Sequence, residues 1–552
     1  MNTRTRFVVW ISFATASALL VLYACSGGPE ASFTGVFTQR YDAQRTGQNR
    51  REFILTPSKV TDSTFGKLFA CAVDGEVYAQ PLYVANSTIQ GGTHNVVFVA
   101  TMNNSVFAFD ADARPCVQYW KKSFLGTGIT TVPPADTGET GDINTIIGIT
   151  GTPVIDPATG TLYVVAKTKE PTGYFQRLHA LDLATGSVTG PEKFGGPANI
   201  SSAITIPGSG DASDPNCPGA TAGHVPFCPL RENQRSGLLL LNGKVYVAWA
   251  SHGDNDPYHG WVIGYSAADL TQAPVVFNTT PNGSRGGIWM SGTGPAADAA
   301  GNVYVITGNG TFDTAAPRAN YGDSFIKLRT AGGGLSVDDF FTPANQSFLD
   351  SNDFDVGSGG AIVVDSAGAH PHLVIGGDKQ GVLYVIDRDT MTGFNSNGDQ
   401  IQKVAITAGP ACIICGLFST PAFWEGKLYV VAIGDVLKQY TLANGILSSL
   451  PALQASDMFG VPGASPAVSS NGATNGIVWA LDTTNNGTNS SATSAPAILF
   501  AYDATTLNKL YSSPTSGAGA AGNAVKFTVP TVANGKVYVG TQDELSVFGL
   551  LP

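Results

Sequence analysis

The sequence predicts an all-β fold, an eight-bladed β-propeller closed by an N-terminal strand pairing with the last blade, and three observations lead there. A short apolar strand recurs eight times, at residues 96–100 (VVFVA), 162–166, 245–249, 303–307, 373–377, 428–432, 477–481 and 537–541 (VYVGT). A second apolar strand follows at short range and often ends in Asp, as at 105–110, 177–182, 381–387 and 496–503. Self-similarity at a regular spacing is the signature of a solenoid or propeller. The third observation concerns the ends. Residues 34–49 (TGVFTQRYDAQRTGQN) precede the first complete unit, and the last unit finishes in a strand at 545–548. An open ring would expose sheet edges, so closure by the N-terminal part is expected.

Most units open with a proline, at Pro81, Pro153, Pro295, Pro421, Pro466 and Pro530. Proline donates no ladder hydrogen bond and suits the first residue of a strand. Each unit thus reads as three antiparallel strands plus a weaker fourth. The units recur every ~60 residues, longer than compact propeller repeats, so the excess lies in loops. The longest insertions, 127–147, 191–232, 313–322 and 330–355, mark the expected functional face.

The chain has 552 residues, 13% of them charged, and a formal net charge of −11. No Lys or Arg cluster follows any strand or loop, so nucleic acid is not an expected partner. At the start, Arg4 and Arg6 precede an apolar run over 7–22 and then Cys25 with a Ser-Gly-Gly spacer. That pattern is an export signal rather than a fold element. It resembles a bacterial lipoprotein signal. The resemblance implies removal of residues 1–24, lipidation of Cys25, a tether over 25–32 and a single propeller domain over 33–552. The membrane would be met through the lipid alone, at the periplasmic side of the outer membrane or the cell surface.

Six cysteines remain after Cys25, and six allow fifteen pairings. The favoured ones are Cys71 with Cys116, Cys217 with Cys228, and Cys412 with Cys415. The last forms a CxxC, but no His follows it and no second CxxC exists, so a structural bridge is expected rather than haem or zinc.

Several polar residues stand beside repeat strands, where a propeller presents loops near its axis. Glu170 ends LYVVAKTKE, Asn309 lies in TGNG, Asp353 and Asp355 lie in NDFDVG, and Lys379 lies in GGDKQG. Carboxylates with an amide oxygen suit a hard cation such as calcium, and a lysine suits an anionic cofactor. The cluster of His252, Asp254, Asn255, Asp256 and His259 is interrupted by a turn-forming Asn-Asp-Pro and reads as a hydrogen-bonded loop.

In the order and context of these residues the chain resembles the quinoprotein dehydrogenases, eight-bladed propellers that bind pyrroloquinoline quinone (PQQ) with calcium. The resemblance implies Glu170, Asn309 and Asp353 as calcium ligands, Asp353 as the catalytic base, and Lys379 and Trp289 (GGIWMSGTG) as cofactor-binding residues. The substrate would be an alcohol or sugar. Three departures accompany it: Asn352 stands in place of a Trp, Gly310 in place of a Pro, and the adjacent Cys pair is missing. They keep a second reading open, a cofactor-free propeller acting as a binding or assembly scaffold for envelope proteins.

Overall fold

The computed structural model describes residue 1 and residues 34–552, apart from 140, 144, 218, 220, 408–415, 489, 490 and 492. The expected signal peptide, the tether, Cys25 and the Cys412–Cys415 pair lie outside the described residues.

Eight antiparallel sheets form the blades of a propeller. Blade 1 runs outward through Leu82–Ile89, Gly92–Thr101, Ser105–Asp110 and Gln118–Ser123. The innermost strands of blades 2 to 8 are Val154–Asp156, Leu239–Leu241, Ala296–Ala297, Ile362–Asp365, Ala422–Trp424, Ala467–Asn471 and Thr531–Ala533. Each recurring apolar strand of the sequence is the second strand of a blade. Each proline noted above immediately precedes an innermost strand, where its missing N–H removes no ladder bond.

The second strands are buried on both faces because neighbouring blades stack sheet against sheet. Between blades 2 and 3, Tyr163, Val165, Val247, Trp249 and Trp261 pack together. Comparable clusters lie between blades 5 and 6, 6 and 7, and 7 and 8. Burying each such aliphatic side chain contributes about 1.5–3 kcal/mol, so the core is distributed around the ring. The Asp that ends many third strands has a local task. Asp182 Oδ1 accepts the N–H groups of Ala184 and Thr185, and Asp503 Oδ1 those of Thr505 and Thr506. These Asx turns reverse the chain toward the fourth strand.

The ring closes as expected. Phe65–Ala72 pairs antiparallel with Glu544–Leu550 and is the outermost strand of blade 8, whose three inner strands come from the C-terminal part. A disulfide from Cys71 in that strand to Cys116, between the third and fourth strands of blade 1, crosses the seam. A second disulfide joins Cys217 to Cys228.

Upstream of that strand, the chain fills the hub. Gly35–Val36 pairs with the inner strand of blade 1. From there the carbonyls of Phe37, Ala43, Gln44, Thr46 and Gly47 accept the N–H groups of Ile155, Ala297, Val363, Phe423 and Val468, in blades 2, 4, 5, 6 and 7. The Tyr41 hydroxyl donates to Pro530 O (3.1 Å) and accepts the Val532 N–H (3.0 Å) in blade 8. Arg45 Nη2 donates to Leu238 O beside blade 3 (3.0 Å), so the segment bonds to every blade. Arg40 and Arg45 have no exposed surface. Arg40 donates to the carbonyls of Pro466 (2.6 Å) and Pro421, and Arg45 Nε to that of Pro295 (2.9 Å). Gly47, at φ +73°, is required in this segment, because a Cβ there would collide with the Arg40 guanidinium.

Candidate functional site

A cavity of about 410 Å³ opens where the blade-to-blade crossovers meet. Tyr78 reaches it ahead of blade 1, Asn233 and Arg235 ahead of blade 3, Trp289 ahead of blade 4, and Asp355 ahead of blade 5. Phe418, Pro462 and Phe527 reach it ahead of blades 6, 7 and 8. Since crossovers from all around the ring contribute, the cavity lies on the axis. Three of the four long insertions supply lining residues or end next to one: Asp142 lies in 127–147, Asn233 follows 191–232, and Asp355 ends 330–355. The insertion 313–322 supplies none.

Three of the expected residues meet at one wall. Lys379 Nζ lies 2.8 Å from Asp353 Oδ1 and 2.5 Å from Asp355 Oδ2. Asn309 donates its Nδ2 to Asp353 Oδ1 (2.9 Å) and its backbone N–H to Asp355 Oδ1 (2.7 Å). Burial opposes the charge of Lys379, but Asp355 and Asp353 outweigh it and hold the ammonium above its ordinary value. The two carboxylates differ in place. Asp355 lines the cavity with its side chain 5% exposed, whereas the Asp353 side chain is 67% exposed and is not part of the lining. Asp353 also takes φ +58°, which turns the loop so that both carboxylates face one lysine. Trp289 lines the cavity, and its Nε1 is buried with no hydrogen-bond partner, as is Asn309 Oδ1.

Glu170 lies elsewhere. It ends the second strand of blade 2, where its carboxylate is held by Arg177 on the neighbouring strand (2.5 Å) and by the Thr168 hydroxyl (3.0 Å). Those partners, Arg177 foremost, keep its carboxyl below the ordinary value. Glu170 is therefore not brought into the expected calcium triad with Asn309 and Asp353, and the Lys379 ammonium bridges Asp353 and Asp355. Among the described residues no group of three His, Cys, Asp or Glu side chains is placed to hold a metal ion. The two histidines of the 252–259 loop are engaged with protein groups. His252 Nε2 faces Lys167 Nζ (2.8 Å), and His259 bonds to Thr280 and to Asp211 O.

Two cavity residues were not legible as site residues. Asp254, at φ +54°, accepts the Tyr258 hydroxyl at Oδ1 (2.6 Å), and its Oδ2 takes no hydrogen bond among the described residues. Burial first, and then the charge of Asp355, raise its carboxyl above the ordinary value, so it is a better proton acceptor than a solvated aspartate. Its only sequence signal is its place in the His252–His259 cluster. The other residue is Arg235, whose guanidinium lies 4.3 Å from the Phe527 ring centre and 5.8 Å from that of Tyr78.

No family model matches the chain, and no curated protein matches it in sequence. Solved structures do match in fold. A europium-containing methanol dehydrogenase aligns with a TM-score of 0.60 at 14% identity, over 94% of this chain and 98% of that one. A quinohemoprotein alcohol dehydrogenase from Comamonas testosteroni aligns at 0.59 and 16% identity, over 94% and 81%. BamB from Moraxella catarrhalis aligns at 0.47 and 13%, over 88% and 99%. At these identities the first two likenesses are ones of fold, and they agree with the eight-bladed propeller described above.

Proposed function

We propose that the protein holds a planar anionic quinone, PQQ by resemblance, in its axial cavity and oxidises an alcohol or sugar there. The observation that carries this reading is the meeting of Asn309, Asp353 and Lys379 beside a cavity lined by Trp289, the residues and chain order that the resemblance implies. The cavity volume falls within the range of small-molecule sites. Unpartnered donors and acceptors at Trp289 Nε1 and Asn309 Oδ1 fit a polar, ring-shaped ligand.

When bound, the quinone supplies a two-electron acceptor. The chain supplies the rest. Trp289 offers an aromatic surface, and Lys379 offsets one of the two charges of Asp353 and Asp355. Asp254, with a free Oδ2 and a raised carboxyl, takes the proton of the substrate hydroxyl. Asp353 is the base by resemblance, but its position outside the lining favours Asp254. No step is routed through calcium, because Glu170, one of its three expected ligands, is held by Arg177 away from Asn309 and Asp353. Arg4, Arg6, the apolar run and Cys25 support export and a lipid anchor at the envelope.

The test is reconstitution of the purified protein with PQQ, read by the quinone absorbance and by dye-linked alcohol oxidation. Binding is expected, and Asp254→Asn is expected to lower the rate by ~10²-fold or more while Asp353→Asn lowers it less. Because the raised carboxyl of Asp254 must be ionised to act, the acid limb of the rate profile should lie above the ordinary carboxylate range and shift in Asp254→Asn. Absence of PQQ binding at saturating concentration overturns the reading. A second reading, a scaffold for an envelope protein, is supported by the filled hub, which a cofactor-free propeller can share.

A further inference from the structure

Among the described residues Arg235 is the one cation of the cavity lining without an acidic partner within salt-bridge distance. Lys379 is held by Asp353 and Asp355, and Lys526 Nζ by Asp142 Oδ1 (2.9 Å). Asp142 is also the acid whose charge Arg235 feels, and its Oδ1 is given to Lys526. The Arg235 guanidinium makes no hydrogen bond among the described residues, and its Nη2 is buried and unpartnered. Burial pushes it down to about 10, and it stays charged at neutral pH. Native proteins seldom leave a buried donor unpaired, and a buried charge without a partner is more costly still. The rings of Phe527 and Tyr78 hold the guanidinium in place by cation–π contact and leave its donors free. A guanidinium with free N–H donors matches a carboxylate in charge and in hydrogen bonding.

The direction in which Arg235 leans adds the second half of the argument. It belongs to the crossover into blade 3 but reaches rings from blades 1 and 8. Asp254, on the loop after the second strand of blade 3, feels the charges of Asp355 and Lys379 from the side of blade 5. Asp254 and the Arg235 fork therefore have different neighbours within one lining, Asp355 and Lys379 in one case and Phe527 and Tyr78 in the other.

We propose that Arg235 anchors the carboxylate of the substrate, so that the cavity takes a hydroxy acid of the sugar-acid kind, with its carboxylate on Arg235 and its hydroxyl toward Asp254. The hydroxyl end rests on the dehydrogenase reading, whereas the carboxylate subsite stands on Arg235 alone.

The experiment is calorimetric titration of the full protein, without added cofactor, using D-gluconate as the probe, D-glucose as its uncharged counterpart and PQQ separately. Wild-type protein should bind gluconate ~10-fold or more tightly than glucose, and Arg235→Gln should weaken gluconate ~10- to 100-fold, as expected for loss of charge-assisted hydrogen bonds. Arg235→Lys should fall between the two, since it keeps the charge and loses the fork. PQQ binding should fall less than gluconate binding in Arg235→Gln, and thermal melting shows whether each variant is folded. Equal affinity for gluconate and glucose in the wild type overturns the proposal. So does an Arg235→Gln protein that loses PQQ and keeps gluconate. Arg235-dependent gluconate binding in a protein that never binds PQQ supports the acid subsite and removes the dehydrogenase reading.

Discussion

Arg45 and Arg235 both sit inside the ring, and burial pushes both guanidinium groups down to about 10. Their surroundings are opposite. Arg45 in the hub donates to Pro295 O, the Thr38 hydroxyl, Gln39 O and Leu238 O, at 2.7 to 3.0 Å. The Arg235 guanidinium in the cavity makes no hydrogen bond among the described residues and is flanked by the rings of Phe527 and Tyr78, with the charge of Asp142 acting on it from further off. The difference separates a group that serves the fold from one that is available to a ligand. A hydrogen-bonded buried cation ties elements together, whereas an unpaired one lowers stability and persists where a partner from solution completes it.

The largest expected break in this comparison is Arg45→Met. It leaves four acceptors in the hub without their donor and removes the tie between blades 3 and 4, so a loss of about 5 kcal/mol is expected in denaturant unfolding. A loss under about 1 kcal/mol would mean that the hub segment is not a structural tie. Next is the seam. The Cys71–Cys116 bridge closes a span of 45 residues, and in the chain-entropy treatment its removal by Cys71→Ser with Cys116→Ser costs about 4 kcal/mol. Equal melting of the oxidised and reduced wild type would show that strand pairing alone secures the seam. The smallest effect is expected at Arg235. Arg235→Gln should change stability by no more than about 1 kcal/mol, because it breaks no side-chain hydrogen bond and the loss of two cation–π contacts is offset by removal of an unpaired buried charge. A large destabilisation there would erase the contrast with Arg45.

Much of the ring is legible in the sequence because its determinants are local. Apolar second strands, prolines at innermost-strand entries and an Asp at the third-strand end are each set by a few neighbouring residues. The hub is not legible. Residues 34–49 read only as a stretch ahead of the first complete unit, and Arg40 and Arg45 become interior residues only because carbonyls 193 to 426 positions away converge on them. The site divides in the same way. Asn309, Asp353 and Lys379 are recognisable from their order and turn context, and the fold brings them together. Glu170 shows the limit of that reasoning: its partner Arg177 is set by the register of the blade 2 hairpin, which pairs Arg177 with Ala166 and brings the guanidinium within reach of residue 170. Asp254 and Arg235 gain their character from groups on other blades, Asp355 in one case and Phe527 in the other.

The hub segment also sets an order of events. It is among the first parts of the described chain to be synthesised, yet its partners are spread over all eight blades, up to Val532. The strand that follows it, Phe65–Ala72, waits for Glu544–Leu550. Contacts so distant in sequence form late and make folding slow. The early segment must therefore stay unsatisfied while nearly five hundred residues accumulate behind it, and the ring assembles around its own beginning like a wheel built onto an axle already in place.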